Sequence, residues 1–174
     1  LRFNNGLMAF DTTATGLKAI LEHGVAVLGN QGRYPQIGGI RFSYDKDLPA
    51  GSRVTNVALI DENNGVLAVI VENGVVNPNA PATITMITLN FLAQGGDGYP
   101  MKDNGTNFRY MLNDGTLSAP VDEALDFTAA ANVPANILGE QQAMSEYMQE
   151  RYATAETAFN IADTTQAGDT RIQN

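Results

Sequence analysis

Residues 52–61 are rich in β-branched side chains and residues 66–71 form a continuous apolar run, with Asn63-Asn64-Gly65 between them. Asparagine and glycine accept the positive φ of a tight hairpin turn, so this stretch reads as two antiparallel strands joined directly. More strands are expected nearby. Ile40, Phe42 and Tyr44 alternate with polar positions, and residues 82–91 carry threonines at 83, 85 and 88 after a loop spanning Pro78 to Pro81.

Helices frame these strands. Thr12, Thr13 and Thr15 offer N-cap hydroxyls to a helix whose apolar stripe is Leu17, Ile20, Leu21 and Leu28. Gly24 interrupts that stripe, and Gly29-Asn30 is its expected end. A second helix is expected from Gln141 to Tyr152, with Met144, Tyr147, Met148 and Tyr152 read as core packing and Glu146, Gln149 and Glu150 facing water. From Thr154 onward the residues are small and polar, as in a tail laid over the surface or frayed. The whole reads as one α+β domain, a mixed or antiparallel sheet packed with helices, across residues 1–174. Its first residues, Leu1 to Asp11, are apolar from the outset, which reads as the interior of a longer protein.

Composition excludes several functions. A net charge of -9 with scattered basic residues argues against a nucleic-acid polymer as partner. No stretch approaches the ~20 apolar residues of a membrane span. The chain has no cysteine and one histidine, His23, whereas two-metal sites and catalytic triads usually draw on several histidines. Neither a catalytic residue nor a metal ligand is therefore expected within it. His23 reads as a surface or helix-end residue, where a cation is favourable. Gly38-Gly39-Ile40-Arg41 fits no phosphate-loop spacing and leads into a strand, and the carboxylates at 61, 62, 122, 123 and 126 stand beside turns or helix starts.

The most specific local feature is Gly95-Gly96-Asp97-Gly98-Tyr99. Three glycines in four positions permit positive φ and the close approach of a ligand. Two readings stay open on the residues alone: a tight turn with Tyr99 packed beside it, or an exposed ring placed to stack on something flat.

Four segments, in order, resemble the 5′-nucleotidase C-terminal domain family. "GRYPQIGGIRFSYDKDLPAGSRV" (32–54) is similar to its central signature, and "LNFLAQGGDGYPM" (89–101) to its second. "LRFNNGLMAF…GLKAILEHGV" resembles the strand and helix that precede them, and "DTTQAGDTRIQN" resembles the end of the domain in bacterial members. The resemblance implies a nucleoside base clamped between two aromatics, Phe3 and Tyr99, with Gly95 and Gly96 letting the ring lie flat and Asp103 accepting from the ribose hydroxyls. It implies a nucleotide or nucleoside ligand and, as partner, the enzyme's own N-terminal metallophosphoesterase domain. Two divalent metal ions would sit in that domain, which is absent from this chain, and no cofactor is implied in this one.

The activity implied is phosphate-ester hydrolysis by the full-length protein, in the periplasm or outside the cell, with the chain alone inactive. UDP-sugars or 2′,3′-cyclic nucleotides are the alternative substrates, and a non-catalytic binding or scaffold module is the alternative role. The chain departs from the family pattern at Arg2, where the family has proline. The family's upstream asparagine-glycine-rich segment, which meets phosphate and sugar, is not in it.

Overall fold

The computed structural model describes residues 2–29, 31–160 and 171–173. In chain order the elements are β1 (Leu7–Thr12), α1 (Ala14–Gly24), β2 (Ile40–Tyr44), β3 (Val54–Ile60), β4 (Val66–Glu72), β5 (Val75–Val76), β6 (Ile84–Leu89), α2 (Asn90–Ala93), α3 (Met101–Asn104), β7 (Gly105–Tyr110), α4 (Glu140–Arg151) and β8 (Ile172–Gln173). They form two sheets, one ordered β6-β1-β7 and one ordered β5-β4-β3-β2-β8. Neighbours pair antiparallel except β2 with β8, which are parallel. The α+β expectation holds, with the strands divided between two sheets.

The hairpin forms where expected. Asn64 takes φ +63, and the Asp61 carboxylate accepts from the amides of Asn63 and Gly65 at 2.8 and 2.7 Å. This is the side-chain turn that aspartate favours.

Helix α1 serves both sheets. Leu17, Leu21 and Val25 enter a core with Phe42, Val54, Val57, Ile70 and Val71, whereas Ile20 enters a second core with Met8, Phe10, Phe108 and Tyr110. Thr13 caps its start, its hydroxyl accepting from the Gly16 amide at 3.1 Å. The helix ends at Gly24 rather than near Gly29, and Leu28 is exposed. The early stop has a visible cause: Arg53 Nη1 donates to the carbonyls of Val25 and Ala26 at 2.7 and 2.8 Å. Those orphan acceptors are satisfied without another turn of helix.

A second expectation fails at α4, where no residue is buried. Met144 is 49% exposed and Tyr147 50%, so the stripe read as core is open. The rings of Tyr147, Tyr152 and Phe159 pack edge-on against one another at 6.0 and 5.6 Å. The first core is filled by α1 and the strands, the second by α1, α2, α3, the strands, Tyr99 and Phe127, and α4 is held by its N-terminus. There Glu140 Oε1 accepts from the backbone and side chain of Asn5, and Gln141 Nε2 donates to the Phe3 carbonyl. Most of the closing segment 163–174 lies outside the described residues; within it, Ile172 pairs with Phe42.

Glu22 is the buried charge that fixes α1 against β3. Its two oxygens accept from the amides of Arg53 and Val54, each at 2.9 Å, and from Lys18 Nζ at 2.9 Å. Glu22→Ala strips buried amides of their acceptor and is expected to cost about 3 kcal/mol, read as a lower urea midpoint at unchanged slope.

Candidate functional site

The site is built around one residue pair. The Asn90 amide donates to the Gly6 carbonyl at 2.8 Å, and the Asn90 side-chain oxygen accepts from the Gly6 amide at 3.0 Å. The pair extends the β1–β6 ladder by one step, from Leu7↔Leu89. Beyond it the two segments part, one running back through Asn5 to Phe3 and the other turning into α2 with Phe91 as its second residue.

Both rings are open to solvent. Phe3 is 64% exposed and Phe91 41%. Phe3 is steadied by the Gln141 bond to its carbonyl, and the Arg2 guanidinium carbon lies 5.5 Å from its ring centre. Phe91 lies directly on the glycine-rich loop: a Cβ at Gly96 would fall 2.4 to 2.6 Å from three of its ring carbons. Glycine at 96 is therefore what lets the ring rest on the backbone.

Gly95, Asp97 and Gly98 in that loop have φ of +105, +54 and +77. The amides of Gly98 and Tyr99 reach back to the carbonyls of Gly95 and Gly96, each at 3.1 Å. Asp97 is exposed, and its carbonyl accepts from His23 Nε2 at 2.9 Å. Asp103 is exposed on the single turn of α3, its side chain without a hydrogen bond or ion pair among the described residues.

Tyr99 occupies the other open reading, the packed one. It is 7% exposed and belongs to the second core. Its hydroxyl donates to the Arg33 carbonyl at 2.5 Å, and its ring centre lies 4.9 Å from that of His23. The missing Cβ of Gly24 makes room, since a Cβ there would stand 3.0 Å from the Tyr99 oxygen. Burial, with the Asp97 charge adding and Arg33 opposing, pushes the phenol up to about 12. In this conformation the ring is covered, and no ring contact joins it to Phe3 among the described residues.

Sequence reasoning misses two residues here. Phe91 reads as the last residue of a strand, but the strand stops at Leu89 and Asn90 opens a helix that turns the ring outward. His23 stands at the helix end as read, and what its position alone does not show is that its Nε2 also reaches across to the loop. The signal for both lies in their sequence neighbours, an Asn-Phe at a strand end and a histidine followed by glycine.

With both rings exposed, the candidate site is an open ledge. A surface hollow of about 420 Å³ runs along α1 beside Lys18, Glu22 and His23, and another of about 340 Å³ lies on the five-stranded sheet near Arg41 and Asn56. Neither includes Phe3, Phe91, Asp97, Tyr99 or Asp103. Among the described residues no three histidine, aspartate or glutamate side chains are grouped so as to hold a metal ion.

Residues 1–104 match the family described as 5′-nucleotidase, C-terminal domain. The trifunctional nucleotide phosphoesterase protein YfkN of Bacillus subtilis (strain 168) is 32% identical over 98 residues, which is 56% of this chain and 6% of that protein. A 5′-nucleotidase precursor from Thermus thermophilus matches 99% of this chain and 26% of its own, at 24% identity and a TM-score of 0.64. The NAD nucleotidase NadN of Haemophilus influenzae matches 99% and 25%, at 18% identity and a TM-score of 0.55. The two solved structures share this fold. The chain spans about a quarter of each, and far less of the Bacillus protein.

Two outcomes are expected of the loop. Gly96→Ala should displace the Phe91 ring and destabilise the domain by about 1–3 kcal/mol. In a Phe91→Ala background the same change should cost far less, a coupling that a double-mutant cycle of urea midpoints measures. Separately, the folded Tyr99 phenol holds its proton more tightly than the unfolded one, whose reference value is 10.0. Its stabilising share is thus complete below pH 10 and is lost as pH rises from there through about 12. Tyr99→Phe should flatten that part of the stability–pH curve.

Proposed function

The chain belongs to the 5′-nucleotidase C-terminal domain family, and on that footing we propose that it is the nucleoside-holding domain of a phosphohydrolase. The base would stack on Phe3 and on a second ring at the glycine-rich loop, while a carboxylate of that loop accepts from the ribose hydroxyls. The observation that carries this reading is the pair of exposed rings, Phe3 and Phe91, borne on the two segments that leave the Gly6–Asn90 pair. Stacking contributes about 1–3 kcal/mol per base and tolerates any base, which suits a loosely selective hydrolase.

Phe91 is the second ring in this proposal, because its face is open where that of Tyr99 is covered. The clamp by Phe3 and Tyr99 is the alternative, and it requires the hydrogen bond to Arg33 to open. For the sugar, Asp97 on the loop and Asp103 one turn beyond it are both exposed carboxylates.

Hydrolysis would belong to a metallophosphoesterase domain outside this chain, where two divalent ions activate water and stabilise the displacement. The named activities of the relatives favour a nucleotide substrate. UDP-sugars fit the same ledge, since each carries a base and a ribose with free hydroxyls, whereas a 2′,3′-cyclic nucleotide has both of those oxygens esterified and would be held by its base alone. Action in the periplasm or outside the cell goes with this proposal.

The test is an NMR titration of the chain with adenosine and AMP. Saturable shifts at Phe3 and Phe91 are expected at a Kd near millimolar, about 4 kcal/mol, with each Phe→Ala weakening binding roughly fivefold or more. Loss of binding in Tyr99→Ala, with Phe91→Ala unaffected, would move the clamp to Tyr99. Whichever of Asp97→Asn and Asp103→Asn abolishes the preference for adenosine over 2′,3′-dideoxyadenosine identifies the sugar ligand. Metal-dependent AMP turnover by the chain alone would overturn the division of labour, and no saturable shift would overturn nucleoside binding.

A further inference from the structure

We propose that His23 is a positioning residue of this ledge: its imidazole holds Asp97 in the left-handed conformation and so sets how the loop presents Asp97 and Phe91. The proposal rests on the nucleoside reading for its consequence, and on the loop geometry for its substance.

Asp97 is the one position of the Gly95–Gly98 turn that is not glycine, and it carries φ +54. Aspartate enters that region more readily than most residues with a Cβ, but still at a cost that a contact on its backbone can offset. The glycines on either side supply freedom and no preference. The bonds inside the turn run from the amides of Gly98 and Tyr99 to the carbonyls of Gly95 and Gly96, so they leave the Asp97 carbonyl to His23 Nε2, at 2.9 Å.

A carbonyl only accepts, so Nε2 must carry the proton. The imidazole also fills the space beside the loop. A Cβ at Gly98 would lie 3.1 Å from His23 Cε1, and the Tyr99 ring packs at 4.9 Å with its plane tilted 60°.

The other end of this contact is rigid. His23 follows Glu22, whose carboxylate is bonded to the amides of Arg53 and Val54. The constraint therefore runs from β3 through α1 to the loop. Phe91 shares in it, because its ring rests on Gly96, one residue before Asp97.

The experiment uses the 174-residue chain and three readouts. Imidazole nitrogen shifts should show the Nε2–H tautomer of His23; an Nδ1–H tautomer overturns the proposal. His23→Phe keeps a ring against Tyr99 and removes the donor. It should move the Asp97 amide–Hα coupling away from its left-handed value and weaken adenosine binding about tenfold, with a small change in unfolding midpoint. His23→Gln restores an N–H donor and should recover both readouts to within about twofold of wild type in affinity.

Unchanged coupling and affinity in His23→Phe overturns the proposal, as does His23→Gln behaving like His23→Phe. Should His23→Phe fail to fold, the tautomer and the His23→Gln result decide. If the wild-type chain binds no adenosine, nucleoside binding fails by itself, and His23 is judged on the tautomer and the Asp97 coupling.

Discussion

The side chain of Asn90 holds together the parts on which the rest of the candidate site depends. It is buried, its oxygen accepts from Gly6 and its nitrogen donates to the Phe127 carbonyl at 3.0 Å. The same carbonyl accepts from the Tyr110 hydroxyl at 3.1 Å, and the Phe127 amide donates to Gln94 at 2.8 Å. Four segments distant in sequence thus meet on a few bonds sealed inside the second core. Buried polar groups of this kind are costly when unpaired and directional when paired. An apolar residue at 90 could fill the space but could not aim the segment that carries Phe3.

Close backbone packing does the same for α1. A Cβ at Gly16 would stand 2.3 Å from the Thr12 hydroxyl and 2.7 Å from the Asn104 carbonyl, and one at Gly24 would stand 2.9 Å from Pro35. At both ends the helix meets its neighbours where only glycine fits. Between those ends Glu22 ties it to β3 and His23 ties it to the loop. A helix held at so many points transmits position rather than absorbing change, so the loop inherits the placement of the five-stranded sheet.

What the sequence made legible follows from what is local. The hairpin at Asn64, the strands β2, β3, β4 and β6, and the Thr13 cap depend on residues within a few positions of each other. The family signatures likewise drew attention to the glycine-rich loop. The errors all required knowledge of what lies opposite. Leu28 continues the α1 stripe, but Arg53 ends the helix before it. Met144 and Tyr147 have helical spacing, but neither is buried by the other elements. Tyr99 is not among these errors, since its neighbours in sequence leave it either packed or exposed, and the packed place is the one that Gly24 and the Arg33 carbonyl offer. Phe91 looks like a strand residue until Asn90 is seen bonding to Gly6 and turning the chain.

The charge of the chain bears on how labour would be divided in the intact protein. The chain carries a net charge of -9, and the candidate ledge has the carboxylates of Asp97 and Asp103 on its loop side and the Arg2 guanidinium at Phe3. Stacking and a hydroxyl acceptor gain nothing from the phosphate, and two carboxylates nearby work against it. On the proposed reading, the loop side of such a ledge would suit the uncharged end of a nucleotide better than the anionic end. Orientation of the ligand would then come from repulsion as well as attraction, the base drawn to the rings and the phosphate left toward positive charge. Metal ions on a facing domain would meet that requirement, with Arg2 beside Phe3 as a cation that this chain itself brings to the ledge.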